Sequence, residues 1–92
     1  MGMPAARLTD MHQCPLHVGG PIFEPGCPTV LIAGLPAARL NDLALCQGNP
    51  IDAIADASHS VLIGGLPAAR LGDPTRHGGR IVAGAGTVLI GD

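Results

Sequence analysis

Histidine and cysteine residues lie at related places in this sequence, and both side chains bind transition metals. His12, Cys14 and His17 are close together near the start, Cys46 lies in the middle, and His77 lies nearer the end. Imidazole nitrogen and thiolate sulfur are the donors that zinc sites use. The spacings match no common zinc-finger pattern, so the hypothesis of a shared site depends on the elements that position these residues.

Those elements belong to an internal repeat. The segment P-A-A-R-L occurs three times, beginning at Pro4, Pro36 and Pro67, with an aspartate three residues after each arginine. Each copy closes with V-L-I, and the repeats span about residues 4–35, 36–66 and 67–92. Such repetition indicates units that pack on one another. We therefore expect one domain over residues 1–92 with pseudo-threefold symmetry.

The repeat brings the metal-binding candidates into register. Counted from the repeat aspartate, Cys14, Cys46 and His77 all lie four residues on, so in three symmetric units they would converge near the axis. The chain has only one aromatic residue among its 92, and structural zinc sites supply roughly 10–16 kcal/mol of binding energy that is also folding energy. The alternative is that the histidines are satisfied turn residues and the cysteines are packed in the core.

Composition and local pattern favour strands and turns. Gly and Pro make up 14 and 9 of the residues, and each V-L-I run is β-branched and bounded by glycine, which predicts an all-β fold of short strands. Only the segment N-P-I-D-A-I-A-D-A-S-H-S could contain a helical turn. Within the repeats we expect three local ion pairs: Arg7–Asp10, Arg39–Asp42 and Arg70–Asp73.

The remaining cysteine and histidine fit plainer roles. Cys27 precedes the V-L-I of the first repeat without a matching partner in the other repeats, which favours packing. A Cys14–Cys27 disulfide is the alternative. His59 is interpreted as a surface histidine.

The bulk numbers exclude several classes of function. A formal charge of −2, no lysine and a single aromatic residue argue against nucleic-acid binding. No apolar run is long enough for stable membrane insertion, and no signal peptide is visible. We expect no enzyme activity, because Glu24 is the only glutamate and the aspartates are assigned to the repeat turns. A zinc-dependent hydrolase is the disfavoured alternative.

The three P-A-A-R-L-x-D segments, the H-V-G-G-P-I and H-G-G-R-I turns and the V-L-I-G-G-L-P-A-A-R junction resemble those of PAAR-repeat proteins, which form the tip of the bacterial type VI secretion spike. The resemblance implies a small cone of short strands whose base sits on a trimeric β-helical spike protein. It also implies zinc near the vertex, held by three histidines and one cysteine. Carried onto this sequence, the ligands are His12, His17, Cys46 and His77, and Cys14 is left out.

The function implied by the resemblance is structural. The chain would cap and sharpen the spike as a monomer within the assembly, with no effector extension. It would be cytoplasmic before firing and then be secreted or injected into target cells. An adaptor that recruits effector proteins to the spike is the alternative.

Overall fold

The computed structural model describes residues 2–15, 18–47 and 51–91. Within these ranges the secondary structure consists of short strands and turns without a helix, which confirms the predicted all-β class. Residues 51–57, part of the segment considered for a helical turn, contain a strand instead. In the described part of the chain no helix is present that is long and apolar enough to cross a membrane.

The strands are mostly two to four residues long, and only three are longer. In chain order they are β1 (Met3–Ala5), β2 (Met11–Cys14), β3 (Val18–Glu24), β4 (Cys27–Ile32), β5 (Leu35–Ala37), β6 (Leu43–Ala44), β7 (Asp52–Ala53), β8 (Leu62–Ile63), β9 (Leu66–Pro67), β10 (Arg80–Ile81) and β11 (Ala85–Ile90).

Every pairing between these strands is antiparallel. The largest sheet has the order β10–β2–β3–β6–β7, so strands from all three repeats lie side by side in it. A second sheet pairs β1 with β11, with Met3 opposite Ile90. The segment that opens the described chain is therefore hydrogen-bonded to the segment that closes it.

The V-L-I runs form strands as predicted, and tight hairpins follow the first two. Strand β4 turns into β5 through Ala33 and Gly34, with φ of 50° and 85°. Strand β8 turns into β9 through Gly64 and Gly65, with φ of 57° and 83°. Two central residues with positive φ define the turn that matches the natural twist of a two-residue hairpin.

The paired alanines of P-A-A-R-L lie where the three repeats meet. The second alanine of each copy, Ala6, Ala38 and Ala69, is fully buried. Ala6 N–H donates to the Ala69 carbonyl, Ala69 N–H to the Ala38 carbonyl and Ala38 N–H to the Ala6 carbonyl, at 2.9–3.0 Å. These bonds form a closed cycle through the three repeats, and a larger side chain at any of these positions would have to be accommodated in the core.

Two apolar clusters pack against this cycle. One contains the second alanines and an isoleucine from each repeat, Ile22, Ile54 and Ile81, all fully buried. The other contains the first alanines and residues of the V-L-I strands. The central leucines of the V-L-I runs face outward instead: Leu31, Leu62 and Leu89 are 60%, 64% and 62% exposed.

The predicted ion pairs form in the first and third repeats. The Arg7 guanidinium binds the Asp10 carboxylate at 2.9 and 3.0 Å, and Arg70 binds Asp73 in the same way. Each of these pairs fixes the turn that follows P-A-A-R-L in its own repeat.

The prediction of an Arg39–Asp42 ion pair was wrong. The Arg39 guanidinium donates to the carbonyls of Gly26, at 3.0 Å, and Gly64, at 3.4 Å. Asp42 keeps only backbone donors, among them Arg39 N–H at 2.7 Å. Burial raises the pKa of Asp42, and the backbone hydrogen bond and the charge of Arg39 offset this only in part. The second repeat thus uses its arginine to hold two loops rather than its own turn.

Candidate metal centre

Strand β2 positions the first two metal-binding side chains. Its residues alternate between exposed and buried, so His12 and Cys14 both face the interior while Met11 and Gln13 face out. Strand β10 pairs with β2 and places Arg80 opposite Gln13. A Cβ on Gly79 would overlap the Gln13 carbonyl, so glycine is required there for the third repeat to approach β2.

Four donor atoms converge behind this strand. The ligand atoms of Cys14, Cys46, Asp52 and His77 all lie within 4.8 Å of one another, and this group could hold a metal ion. His77 Nδ1 is 3.4 Å from Cys46 Sγ and 3.6 Å from Cys14 Sγ. The first repeat supplies Cys14, the second supplies Cys46 and Asp52, and the third supplies His77. A bound ion would therefore join all three repeats.

His12 lies beside the group with one nitrogen fixed. Its Nδ1 donates to the Gly20 carbonyl at 2.8 Å, which directs Nε2 toward the cluster. Nε2 is 3.6 Å from Cys46 Sγ and 3.1 Å from Asp52 Oδ2. A backbone carbonyl in this role is typical of metal-binding histidines, because it sets the ring orientation.

Asp52 is fully buried and holds its carboxylate in one orientation. Oδ1 accepts the N–H groups of Ala53 at 2.8 Å and His77 at 3.0 Å, while Oδ2 faces His12 Nε2 and, at 3.7 Å, His77 Nδ1. Burial acts to raise the pKa of Asp52, but the Thr75 hydroxyl and the two backbone N–H groups outweigh it, so the pKa lies below its usual range. The site therefore contains a carboxylate that stays ionised.

The donor set fits a cation. The pKa of Cys46 is raised to about 11 by burial, by the neighbouring Cys14 thiol and by the charge of Asp52. The thiolate form is therefore disfavoured there unless a cation balances its charge. The 3.1 Å contact between His12 Nε2 and Asp52 Oδ2 also needs a positive centre between two electron-pair donors, either a proton or a metal ion. Softer sulfur and nitrogen donors together favour a zinc-like ion over calcium or magnesium.

The structure brings together three of the four residues that the sequence nominated as ligands. His12, Cys46 and His77 meet at this site, whereas His17 lies outside the described residues. Cys14, which repeat position nominated and the resemblance left out, belongs to the group. The convergence of Cys14, Cys46 and His77 is what the repeat register predicts.

Asp52 was missed by the sequence analysis. Assigning the aspartates to the repeat turns was wrong for this residue, because it follows no P-A-A-R-L segment. Asp56 also lies outside the repeat pattern, so no signal in the sequence singles out Asp52.

The other cysteine and histidine behave as plainer residues. Cys27 is buried away from the site beside Thr29, with Sγ 3.3 Å from Oγ1. No disulfide joins any of the three cysteines, so the alternative Cys14–Cys27 bond is not formed. His59 is exposed and contacts Asp56 on the surface, as expected.

These features define a class of protein, an all-β domain built from three short repeats around a buried cluster of Cys, His and Asp side chains. The PAAR motif family matches residues 15–83, which is most of the chain. The chain therefore belongs to the PAAR motif family, the type VI spike-tip family. No curated protein matches the sequence.

Proposed function

We propose that this chain is the structural tip of a type VI secretion spike, pinned by one zinc ion. The observation that carries the proposal is the Cys/His/Asp group that draws on all three repeats of a PAAR-motif chain. A metal that joins repeats stabilises a small core, since binding energy at a structural site is folding energy. A rigid tip needs this kind of site, whereas a catalytic zinc needs an open position.

The proposed metal is zinc because its preferred donors are present. Zinc in structural sites takes four cysteine and histidine ligands in tetrahedral geometry. His12, Cys46 and His77 supply three such donors, and the fourth position has two candidates: His17, from the family resemblance, and Cys14, from the described group. The role of Asp52 in this arrangement is to hold the His77 loop, because its Oδ1 atom accepts the His77 N–H at 3.0 Å.

The proposed docking surface is formed by the three outward leucines, Leu31, Leu62 and Leu89. Each is the middle residue of the V-L-I run of its repeat. The valines and isoleucines beside these leucines belong to one apolar cluster or pack against it, and the exposed Val30 is the exception. Three matching apolar side chains suit a partner with three chains around one axis, because each leucine can meet the same surface of one chain. The proposed partner is the trimeric β-helical spike protein, with one copy of this chain per trimer.

The test measures binding to the trimeric spike protein of the same secretion system. Leu62→Asp and Leu89→Asp are expected to weaken binding at least tenfold, because each buries a charge in an apolar contact. The matched control is Met11→Asp, which places the same charge at an exposed apolar position on strand β2. Equal binding by the leucine variants would reject this docking surface, and failure of the unmodified chain to bind any spike trimer would reject the tip function.

In this proposal the chain is cytoplasmic until the spike fires and leaves the cell with it. Effector proteins would travel on the spike rather than be processed by this chain. Secretion is tested by following the chain in culture supernatant of cells with and without a working contractile sheath.

A further inference from the structure

The ligand set implied by the family resemblance contains one sulfur atom, but the described site contains two. Cys14 is 2% exposed, and its Sγ lies within 4.8 Å of Cys46 Sγ. Strand β2 turns the Cys14 side chain to the same buried side as that of His12. A second thiol inside a metal site calls for a role.

The separations match those of donors around one tetrahedral ion. With bonds of about 2.3 Å to sulfur and about 2.0–2.1 Å to nitrogen, neighbouring sulfur and nitrogen ligands of zinc lie about 3.6 Å apart. Cys14 Sγ is 3.6 Å from His77 Nδ1, and Cys46 Sγ is 3.4 Å from the same nitrogen. Cys46 Sγ is also 3.6 Å from His12 Nε2. Cys14 Sγ therefore lies only 0.2 Å farther from His77 Nδ1 than Cys46 Sγ does.

Repeat position gives a second, independent argument. Cys14, Cys46 and His77 each lie four residues after the aspartate of their repeat, and in the structure these three donors meet. One donor from the same position of each repeat, with His12 beside them, makes four.

Resting on the proposed metal site, we propose that Cys14 is a zinc ligand, so that the ion is held by two thiolates and two imidazoles. The four ligands are Cys14, Cys46, His12 and His77. Cys14 takes the position that the resemblance implies for His17. Two thiolates cancel the charge of Zn²⁺, and Asp52 then acts as a positioning residue through Oδ1, which accepts the His77 N–H.

The first test counts sulfur ligands in the metal-loaded chain by zinc K-edge X-ray absorption. Two sulfur atoms at about 2.3 Å are expected. This measurement uses the unmodified chain, so it does not depend on how a variant folds. One sulfur with three nitrogen ligands would overturn the inference while leaving the zinc site intact, and a chain that contains no metal would instead reject the proposed site itself.

The second test compares Cys14→Ser, His17→Ala and Cys27→Ser by zinc content per chain after competition with a chelator. Losing a partner of a metal ligand alone costs about 10–100-fold in affinity, so Cys14→Ser is expected to lower zinc affinity at least 100-fold. His17→Ala and the control Cys27→Ser are expected to keep it within a few-fold. The reverse pattern, with zinc kept by Cys14→Ser and lost by His17→Ala, would overturn the inference.

Discussion

At the scale of single residues, the three copies of P-A-A-R-L-x-D are not equivalent. Arg70 closes its turn on Asp73 with two guanidinium bonds, whereas Arg39 reaches away to two loop carbonyls and leaves Asp42 with backbone donors only. Two carboxylates at the same repeat position therefore have different environments. The Asp73 carboxylate is paired with a guanidinium group. The Asp42 carboxylate is buried without such a pair, so burial disfavours its charged form.

The two aspartates should respond differently to the same substitution. Asp73→Asn removes a charged acceptor from the guanidinium of Arg70, and we expect a loss of about 1.5–3 kcal/mol in the free energy of unfolding. Asp42→Asn should cost less, because it also removes a poorly compensated buried charge. Urea unfolding of both variants at neutral pH measures the difference, and an equal or larger loss for Asp42→Asn would contradict it.

The stability difference between Asp42→Asn and the unmodified chain should change with pH in a definite direction, which unfolding measurements at several pH values can check. Because burial raises the pKa of Asp42 in the folded state, the folded chain holds more protons than the unfolded chain as the pH rises above 3.8, the ordinary value. Stability of the unmodified chain thus falls with pH between that value and the raised pKa. We expect the stability of Asp42→Asn relative to the unmodified chain to rise over this window and then level off.

Part of the candidate metal centre could be predicted from the sequence, for a definite reason. Cys14, Cys46 and His77 occupy one repeat position, so their meeting follows from the repeat. Asp52 follows no repeat position, and its place in the site depends on N–H groups from its own strand and from the His77 loop. Such a contact between distant segments has no local signature in the sequence. The same holds for Arg39, which binds the carbonyls of Gly26 and Gly64, 13 and 25 residues away in the sequence.

At the scale of elements, the turn between leucine and aspartate has one backbone shape in all three repeats. The residue between them has φ of 78° at Thr9, 72° at Asn41 and 94° at Gly72. Left-handed backbone is costly for a β-branched residue and free for glycine. In the first repeat, contacts with the rest of the fold must therefore hold Thr9 in this conformation. In the third repeat, Gly72 adopts it without strain.

Exchanging these residues should change stability in opposite directions. Thr9→Gly is expected to stabilise the chain, and Gly72→Thr to destabilise it by about 1–2 kcal/mol. Gly86→Thr is the matched control, because Gly86 also has open space around it but has no positive φ. Thermal unfolding ranks the variants, and a loss at Gly86 equal to that at Gly72 would show that backbone shape is not the cause.

Strands and hairpins were predictable because their signals are local, whereas the order of strands in the sheet was not. The V-L-I runs and the turns after Ile32 and Ile63 carry their own β-branched and glycine signals. The pairing of β10 with β2 joins Arg80 to Gln13 across most of the chain. Close approach at Gly79 permits this pairing, but one glycine among 14 does not identify its partner strand.

At the scale of the whole molecule, the alanine cycle makes the three repeats interdependent. Each repeat donates one backbone bond to a neighbour and accepts one from the other. Pseudo-threefold symmetry of the complete chain stays a prediction, since the sheets that surround the cycle differ between repeats.

Enlarging one alanine should therefore destabilise the whole domain. Ala69→Val adds two methyl groups at a fully buried position, and overpacking of this kind costs typically about 1–3 kcal/mol. Ala55→Val is the control, because Ala55 is exposed. A single cooperative urea transition at lower midpoint is expected for Ala69→Val, and a midpoint equal to that of Ala55→Val would contradict a tightly filled cycle.

The pairing of β1 with β11 has a consequence for how the chain can be connected. Because Met3 lies opposite Ile90, a short linker could connect the end of β11 to the start of β1 without moving either strand. New ends could then be opened at the exposed Gly64–Gly65 turn. Such a circular permutant would start with the third repeat and end with the second, yet it would keep the residues of each strand pairing. Its folding would show that the backbone cycle between the repeats matters more to this fold than the order in which the repeats are connected.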